Sequence, residues 1–227
     1  NQLKAYPSFK SEKPIQHMFC EKGVFVNRQN EVEAKEIAKE IEVRLNHKNS
    51  VGIVAFSEEQ LNCIWNNLSA KTQGKLTARL DENTAFFKAL ENVQGDECDH
   101  LLISFGFSKN EDDELHHRFG PMNTVNGRKR LNVLVTRAKE SISFYCSIKS
   151  TDFKLSSNES VNLLRQWIQF SETYSANENR TFPHGLNPVE KANALTFKSI
   201  QNQLSSAKEL VTLQNVLNRR GWKVDYN

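Results

Sequence analysis

The stretch VGIVAFSEEQLNCIWNNL, residues 51–68, joins two patterns that decide the fold class. Val51–Phe56 is a near-continuous apolar run, which is typical of strands buried on both faces of a parallel sheet. Ser57 comes next, and Ser57–Gln60 has the capping-box pattern that predicts the first turn of a helix. The apolar face of that helix consists of Leu61, Ile64, Trp65 and Leu68. The stretch therefore predicts a buried strand followed by an amphipathic helix.

The same alternation continues on both sides of this stretch. An amphipathic helix is predicted over 29–47, after an irregular opening that contains Pro7 and Pro14. Further strands are predicted near 86–90, 101–107 and 141–148, and further helices over 128–140 and 159–170. Strands that alternate with helices through short connections indicate a parallel sheet covered by helices on both faces. The sequence thus predicts an α/β fold.

Length and local composition predict one main domain with an appendage. A chain of 227 residues suits one domain of ~100–200 residues and a shorter extension. Residues 1–154 are predicted to form the α/β domain, and residues 155–187 a helix followed by a polar linker with Pro183 and Gly185. Residues 188–227 form a tail with one more helical pattern, so a helical C-terminal extension is expected.

Composition excludes several classes of protein. The chain is 38% hydrophobic and 25% charged, which is ordinary for a globular domain, and its apolar runs are far shorter than the ~20 residues that cross a bilayer. No membrane partner is therefore expected. The four cysteines lack the spacing of a zinc site or a disulfide framework, which favours a reducing cytoplasm. Asn1 opens no signal layout and indicates an internal or processed start. No metal site is predicted, since His116-His117 lacks fixed ligand spacing.

Two arginines in the stretch RLNVLVTRAK, residues 130–139, suggest contact with phosphate. On the predicted helix, Arg130 and Arg137 share one face, opposite the apolar face that packs on the sheet. An arginine side chain donates paired hydrogen bonds and keeps its charge, which is how arginine fingers stabilise phosphoryl-transfer transition states. The alternative is a pair of solvated surface arginines, and this stretch by itself leaves both interpretations open.

A second candidate segment is ENVQGDECD, residues 91–99, a polar turn ahead of a buried strand. Gly95 permits a tight turn whose backbone can approach a ligand, and Gln94 and Glu97 offer an amide and a carboxylate. By itself the segment is equally well explained as an ordinary turn.

The order of the two segments resembles motifs V and VI of superfamily 1 helicases. In that family a Q-G-x-E turn and an apolar strand ending in Ser precede a segment R-R-L-N-V-A-x-T-R-A-K/R. The resemblance extends upstream, because residues 51–68 look like the motif IV strand and helix and Asn30–Ala34 matches an N-x-x-E-A pattern. It covers about residues 1–150 and is closest to the 5′-to-3′, Upf-like branch, among large bacterial helicases with an ENVQGDE motif V. The fold that it implies is a RecA-like P-loop NTPase-type sheet, here the C-terminal of two motor domains.

The resemblance also implies roles for individual residues. Arg137 would be the arginine finger that contacts the ATP γ-phosphate, supported by Arg130. The motif V edge that contacts the nucleotide would consist of Gln94, Gly95 and Glu97. The nucleic-acid strand would meet the domain at Ser57, Asn92 and Ser104. Two departures from the family pattern, Leu134 in motif VI and His100 in the strand after motif V, predict altered packing at those positions.

The chain lacks the parts that hold the nucleotide. No G-x-x-x-x-G-K-S/T phosphate-binding string occurs, and no apolar strand ends in Asp-Glu to hold Mg²⁺. We therefore expect ATP and Mg²⁺ to bind only when a first RecA-like domain completes the site, in cis or in trans, and we expect no hydrolysis by this chain alone. The other expected partner is single-stranded DNA or RNA. The alternative is a non-catalytic RecA-like module that binds nucleic acid or a partner protein.

The end of the tail carries a further resemblance. The segment AKELVTLQNVLNRRGWKV, residues 207–224, resembles the opening of endonuclease domains of the very-short-patch-repair type. The acidic metal ligands of such a domain would lie on later strands that this chain does not contain.

Overall fold

A five-stranded, fully parallel sheet organises the computed structural model, which describes residues 14–154 and 156–176. The strands are β1 (Ile15–Phe19), β2 (Val51–Ala55), β3 (Ala85–Ala89), β4 (Cys98–Ser104) and β5 (Ala138–Cys146), and their spatial order is β1-β5-β4-β2-β3. The helices are α1 (Glu31–Arg44), α2 (Glu58–Asn66), α3 (Ala70–Asp81), α4 (Gly127–Val135) and α5 (Glu159–Ala176). Short 3-10 turns cover Leu90–Asn92, Gly120–Asn123 and Ser150–Asp152.

Helices cover the sheet on both faces, and two apolar cores result. One core joins the sheet to α4 and α5 through residues such as Leu131, Leu134 and Leu164. The other joins the opposite face of the sheet to α1, α2 and α3 through residues such as Ile37, Ile64 and Leu76. The predicted α/β fold of the RecA-like P-loop NTPase type is therefore confirmed.

The stretch that decides the fold class behaves as predicted. Every residue of β2 is buried, and its side chains alternate between the two cores, with Ile53 in one and Val54 in the other. The Ser57 hydroxyl accepts a hydrogen bond from the backbone amide nitrogen of Gln60 at 3.2 Å and caps α2. The Gln60 side chain does not complete the capping box, because its amide is bonded to Asn30 instead.

The predicted helix over 128–140 is wrong at its C-terminal end. Helix α4 ends at Val135, Thr136 is its C-cap, and β5 begins at Ala138. The reason is strand pairing: the Arg137 carbonyl accepts a hydrogen bond from the Cys98 amide nitrogen at 3.0 Å, and Cys98 and Ala138 are partners in the sheet. Leu134 is fully buried within this helix. Because α4 ends at Val135, Arg137 lies outside the helix, and Arg130 and Arg137 do not share a helix face.

Two further elements were not predicted from the sequence. Strand β1 pairs with β5 at the edge of the sheet, although Gln16 and His17 interrupt its apolar pattern. Helix α3 begins after the N-cap Ser69 and buries only Thr72 and Leu76. Among the described residues, no helix is both long and apolar enough to cross a membrane. The predicted linker beyond residue 176 and the tail over 188–227 lie outside the described residues.

The last described helix is longer than predicted. The pattern over 159–170 corresponds to α5, which continues to Ala176. Its inward side contributes Val161, Leu164 and Ile168 to the core that it shares with α4. The division of the chain at residue 154 stays a prediction.

Candidate functional site

The candidate site residues are divided between the two edges of the parallel sheet. We call the edge where the strands begin the amino edge, and the edge where they end the carboxyl edge. The turn before β4 and the junction before β5 lie at the amino edge, because both precede the first residue of a strand. The residues that follow β2, β3 and β4 lie at the carboxyl edge. The loop over 90–97 runs from the carboxyl end of β3 to the amino end of β4, so Asn92 and Gln94, with only Val93 between them, are neighbours within it.

The predicted nucleotide turn is an exposed loop between two buried anchors. Val93 and Cys98 are buried at its two ends, whereas Gln94, Gly95 and Glu97 are exposed. Gly95 has a φ of +85°, in the left-handed region that favours glycine, and open space surrounds the position of its missing Cβ. The backbone here can therefore approach a ligand closely.

Arg137 lies beside this turn and is half-buried. Its guanidinium donates from Nη1 to the Asp96 carbonyl at 2.9 Å and from Nε to the Val133 carbonyl at 2.9 Å. A third contact joins Nη2 to the Thr136 hydroxyl at 3.3 Å. The side chain is thus held by neutral acceptors and not by a carboxylate, so its positive charge is not neutralised by any of these contacts.

Two ion pairs lie next to Arg137 and the turn. Glu97 pairs with Lys139 at 3.4 Å, and both side chains are more than half exposed. Lys88 on β3 donates to both carboxylate oxygens of Asp96, at 2.8 and 2.9 Å. Because exposed ion pairs contribute little to stability, the Glu97 carboxylate is available for exchange with a ligand. The structure therefore brings Gln94, Gly95, Glu97 and Arg137 together at the amino edge.

Arg130 is separated from this group. It lies in the first half of α4, and its guanidinium donates to the Thr124 hydroxyl at 2.7 Å and to the Pro121 carbonyl at 3.3 Å. Glu91, which follows β3, lies 3.8 Å from its second terminal nitrogen. Arg130 is therefore oriented towards the residues that enter α4, and its predicted supporting role stays a prediction.

The three residues predicted to meet nucleic acid lie at the carboxyl edge. Ser57 follows β2 and is partly exposed, and Asn92 is exposed and donates to the Glu58 carboxylate at 3.0 Å. Ser104 ends β4 and is fully buried, and its hydroxyl donates to Glu33 at 2.9 Å. The structure places Ser57 and Asn92 on an accessible surface and Ser104 beneath it. Their predicted roles stay predictions.

A buried polar cluster at the carboxyl edge was not predicted from the sequence. Its centre is the Glu33 carboxylate of α1, which has no solvent exposure. One oxygen accepts from the Ser104 hydroxyl at 2.9 Å and the Gly106 amide nitrogen at 2.7 Å. The other accepts from the Ser147 hydroxyl at 2.8 Å and the Asn30 side-chain amide at 3.1 Å. We call this set, together with Gln60, the Glu33 cluster.

The Glu33 cluster joins three loops to two helices. Gln60 of α2 binds both backbone groups of Asn30 and donates to the Ser104 hydroxyl at 3.0 Å. Gly106 has a φ of +77°, and a Cβ there would lie 2.9 Å from the Gln60 side chain, so only glycine fits without displacement. The only sequence signal was the N-x-x-E-A pattern, which marked Asn30 and Glu33 without indicating their partners.

Burial raises the pKa of Glu33 to about 7, and hydrogen bonds from Gly106, Ser147 and Ser104 oppose this shift. In the unfolded chain the carboxyl group titrates near its ordinary value. Between these two values the folded state binds the proton more tightly than the unfolded state does. The stabilisation that comes from protonation of Glu33 is therefore complete below the unfolded pKa and is lost as the pH rises through about 7, while the hydrogen bonds that its oxygens accept remain.

This pKa predicts a measurable pH dependence of stability. Between pH 5 and pH 8 the free energy of unfolding of the native chain should fall by up to about 3 kcal/mol through this group. In Glu33→Gln, which does not titrate, that part of the fall should be absent, although the variant starts from a lower stability because an NH2 group replaces one of the two oxygens that accept hydrogen bonds. Urea unfolding of both proteins at the two pH values checks this. Parallel pH profiles for the native chain and the variant would contradict it.

His100 is one of the two departures from the pattern of the helicase family that the sequence resembles. Its Nδ1 lies 2.8 Å from the Ser141 hydroxyl on the neighbouring strand, and Nε2 lies 3.9 Å from Glu140. Burial lowers the pKa of His100, with the Arg44 charge adding to this and Glu140 opposing it. The hydrogen bond to Ser141 replaces apolar packing between β4 and β5 at this point.

No cluster of three or more His, Cys, Asp or Glu side chains within residues 14–154 and 156–176 is arranged to hold a metal ion. His117, one of the two adjacent histidines of the sequence, packs edge-on against Phe119 and Phe153. Burial and the Lys154 charge lower its pKa, which favours the neutral imidazole.

Comparison with known proteins identifies similar chains. Residues 9–149, more than half of the chain, match the protein family described as AAA domain. Over 205 residues the chain is 27% identical to an uncharacterized ATP-dependent helicase of Mycoplasma pneumoniae and 26% identical to one of Mycoplasma genitalium. Each match covers 85% of this chain but only 17% of the relative, so the chain spans about a sixth of these curated proteins.

Proposed function

This chain belongs to the AAA-domain family and carries a superfamily 1 helicase-like motor domain, and on that premise we propose that it is the second motor domain of an ATP-dependent nucleic-acid helicase or translocase. In this proposal residues 1–154 form the motor domain, which supplies the arginine finger and part of the nucleic-acid track. A first RecA-like domain, in cis or in trans, supplies the remainder of the ATP site.

One observation carries the proposal: Arg137 lies against the Gln94–Glu97 turn at the amino edge, with its guanidinium 2.9 Å from the Asp96 carbonyl. The sequence separates these two segments by about forty residues, and the pairing of β4 with β5 brings them together. A guanidinium whose charge is not neutralised, next to an exposed Gln, Gly and Glu, can bind a phosphate and a sugar hydroxyl at the same time.

The proposed chemistry of the amino edge follows from these side chains. Arg137 binds the γ-phosphate and stabilises the charge that builds up on it during transfer. Glu97 accepts a hydrogen bond from the ribose, and Gln94 and the open backbone at Gly95 contact the nucleotide next to it. ATP and Mg²⁺ are held by the first RecA-like domain, because no phosphate-binding string occurs in this sequence.

The proposed track for single-stranded DNA or RNA lies at the carboxyl edge. Ser57 and Asn92 offer a hydroxyl and an amide to phosphate oxygens, which position a strand without reading its sequence. Ser104 supports the surface from below, through the Glu33 cluster. In this proposal Asn92 contacts the strand and Gln94 contacts the nucleotide, and because only Val93 separates them, one loop can couple the two contacts.

Reconstitution tests this function. Combined with the matching first RecA-like domain, the chain is expected to hydrolyse ATP at a rate that rises on addition of a single-stranded oligonucleotide, whereas the chain alone is expected to show no hydrolysis. Steady-state phosphate release with DNA and RNA oligonucleotides measures both. Tight binding of an oligonucleotide by the chain, without any contribution to hydrolysis in the combined protein, would favour the non-catalytic binding module instead.

A further inference from the structure

Lys88 and Asp96 form a two-point ion pair beneath the candidate nucleotide turn. The Lys88 ammonium lies 2.8 and 2.9 Å from the two carboxylate oxygens of Asp96. The side chains are 38% and 22% exposed, so the pair is only partly screened by water. Lys88 stands on β3, near the carboxyl end of that strand, whereas Asp96 lies two residues before β4. The pair therefore ties the turn to the sheet.

Asp96 is also the residue that holds Arg137. Its carboxylate accepts from Lys88, while its backbone carbonyl accepts from the Arg137 guanidinium at 2.9 Å. In return, the Arg137 carbonyl accepts from the Cys98 amide nitrogen at 3.0 Å. The Asp96 carbonyl thus sets the position of the Arg137 guanidinium. The ion pair with Lys88 in turn holds Asp96 in place.

The turn has little other support between its two ends. Val93 and Cys98 are buried in the core, but Gln94, Gly95 and Glu97 are exposed, and open space surrounds the Gly95 Cβ position. A backbone with a glycine in the left-handed region and no packed side chain is easily displaced. Glu97 also pairs with Lys139 at 3.4 Å, but both side chains are more than half exposed, so the two shorter hydrogen bonds from Lys88 to the Asp96 side chain are the firmer tether of this stretch.

We propose that Lys88 is a positioning residue for the arginine finger, acting through Asp96. This inference rests on the proposed function of Arg137. Without the ammonium, Asp96 moves towards water, its carbonyl shifts, and Arg137 loses the preorganised position from which it stabilises the transition state. Displacement of a catalytic group by about 1 Å costs on the order of a hundredfold in rate. The effect acts on the transition state, so kcat should fall while the KM for ATP changes little.

The test uses the chain combined with the first RecA-like domain and measures oligonucleotide-stimulated ATP hydrolysis. Lys88→Met is expected to lower kcat by about ten- to a hundredfold. Asp96→Asn, which keeps the backbone carbonyl but weakens the pair, should show a smaller loss of the same kind. Lys88→Arg should retain most activity, because its guanidinium can donate to both oxygens. The matched control is Lys35→Met, since Lys35 forms an exposed pair with Glu31 on α1, remote from the turn.

A double variant separates positioning from a general structural effect. If Lys88 acts through Arg137, Lys88→Met should cause no further loss in the Arg137→Ala background. Affinity for a transition-state mimic, ADP with aluminium fluoride, should fall about as much as kcat does, while affinity for ADP is retained. Thermal unfolding of Lys88→Met should stay close to that of the native chain, because partly exposed ion pairs add only about 1 kcal/mol or less.

The outcomes distinguish this inference from the proposed function. Unchanged kcat in Lys88→Met, in a protein whose activity Arg137→Ala removes, would overturn the positioning role alone. A full additional loss in the double variant would overturn it as well, since Lys88 would then act independently of the finger. If Arg137→Ala itself keeps full activity, the proposed function fails. Should Lys88→Met not fold, Asp96→Asn and Lys88→Arg still decide the question.

Discussion

Replacing Arg137 by Ala is expected to lower the ATP hydrolysis rate of the chain combined with its first RecA-like domain by about a thousandfold or more, the usual contribution of an arginine finger. The guanidinium makes its three hydrogen bonds to two backbone carbonyls and a hydroxyl, so no carboxylate competes with phosphate for its charge. The loss should fall on kcat, because the charge on the γ-phosphate oxygens is stabilised most in the transition state. Steady-state hydrolysis with saturating oligonucleotide measures it.

Two further variants give this prediction its controls. Arg137→Lys keeps the positive charge but loses the planar fork, so we expect a smaller but still large loss. Arg128→Ala removes a guanidinium from the first turn of α4, where it pairs with the exposed Glu159 at 3.3 Å, and should change the rate little. A rate in Arg137→Ala equal to that of Arg128→Ala would show that Arg137 is a surface arginine and not a finger.

Replacing Glu33 by Ala is expected to lower the free energy of unfolding by about 3–5 kcal/mol at neutral pH, a large loss for one substitution. The Gly106 amide nitrogen loses its acceptor inside the protein, and a backbone donor cannot turn towards another partner. The Ser147 and Asn30 donors lose the same carboxylate, and a cavity remains where the side chain was. Urea unfolding followed by circular dichroism gives the difference.

The control for this prediction lies one turn along the same helix. Glu36 is part of an exposed pair with Lys39 at 2.6 Å, and Glu36→Ala should change the free energy of unfolding by no more than about 0.5 kcal/mol. Should Glu33→Ala lose less than about 1 kcal/mol, water or the neighbouring hydroxyls must satisfy the freed donors, and the cluster would not be the support of the carboxyl edge that its geometry indicates.

The two substitutions affect opposite edges of the sheet and should therefore be separable. Arg137→Ala removes contacts to the Asp96 and Val133 carbonyls at the surface of the amino edge. We therefore expect the free energy of unfolding of this variant to stay close to that of the native chain. Glu33 lies beneath the carboxyl edge, where it holds the ends of β4 and β5 together through Ser104 and Ser147. In the chain combined with the first RecA-like domain, a Glu33 variant that still folds should therefore lose affinity for the oligonucleotide but keep its affinity for ATP.

The amino-acid sequence alone determined the fold class and the identity of the candidate residues. The apolar run of β2 and the Ser57 cap are local signals, because burial on both faces and capping are written in consecutive residues. The Q-G-x-E turn and the T-R-A-K segment could likewise be recognised from the sequence. Their order along the chain was enough to predict a second motor domain.

Only the tertiary structure decided how these residues are arranged. The helical periodicity continued past Thr136, but pairing of β5 with β4 ends the helix and places Arg137 in a junction beside Asp96. Likewise, the N-x-x-E-A pattern marked Glu33, but its partners Ser104 and Ser147 are 71 and 114 residues away. Helical and strand periods and caps depend on neighbours in sequence, whereas strand pairing and buried hydrogen bonds depend on residues that meet only after the chain has folded.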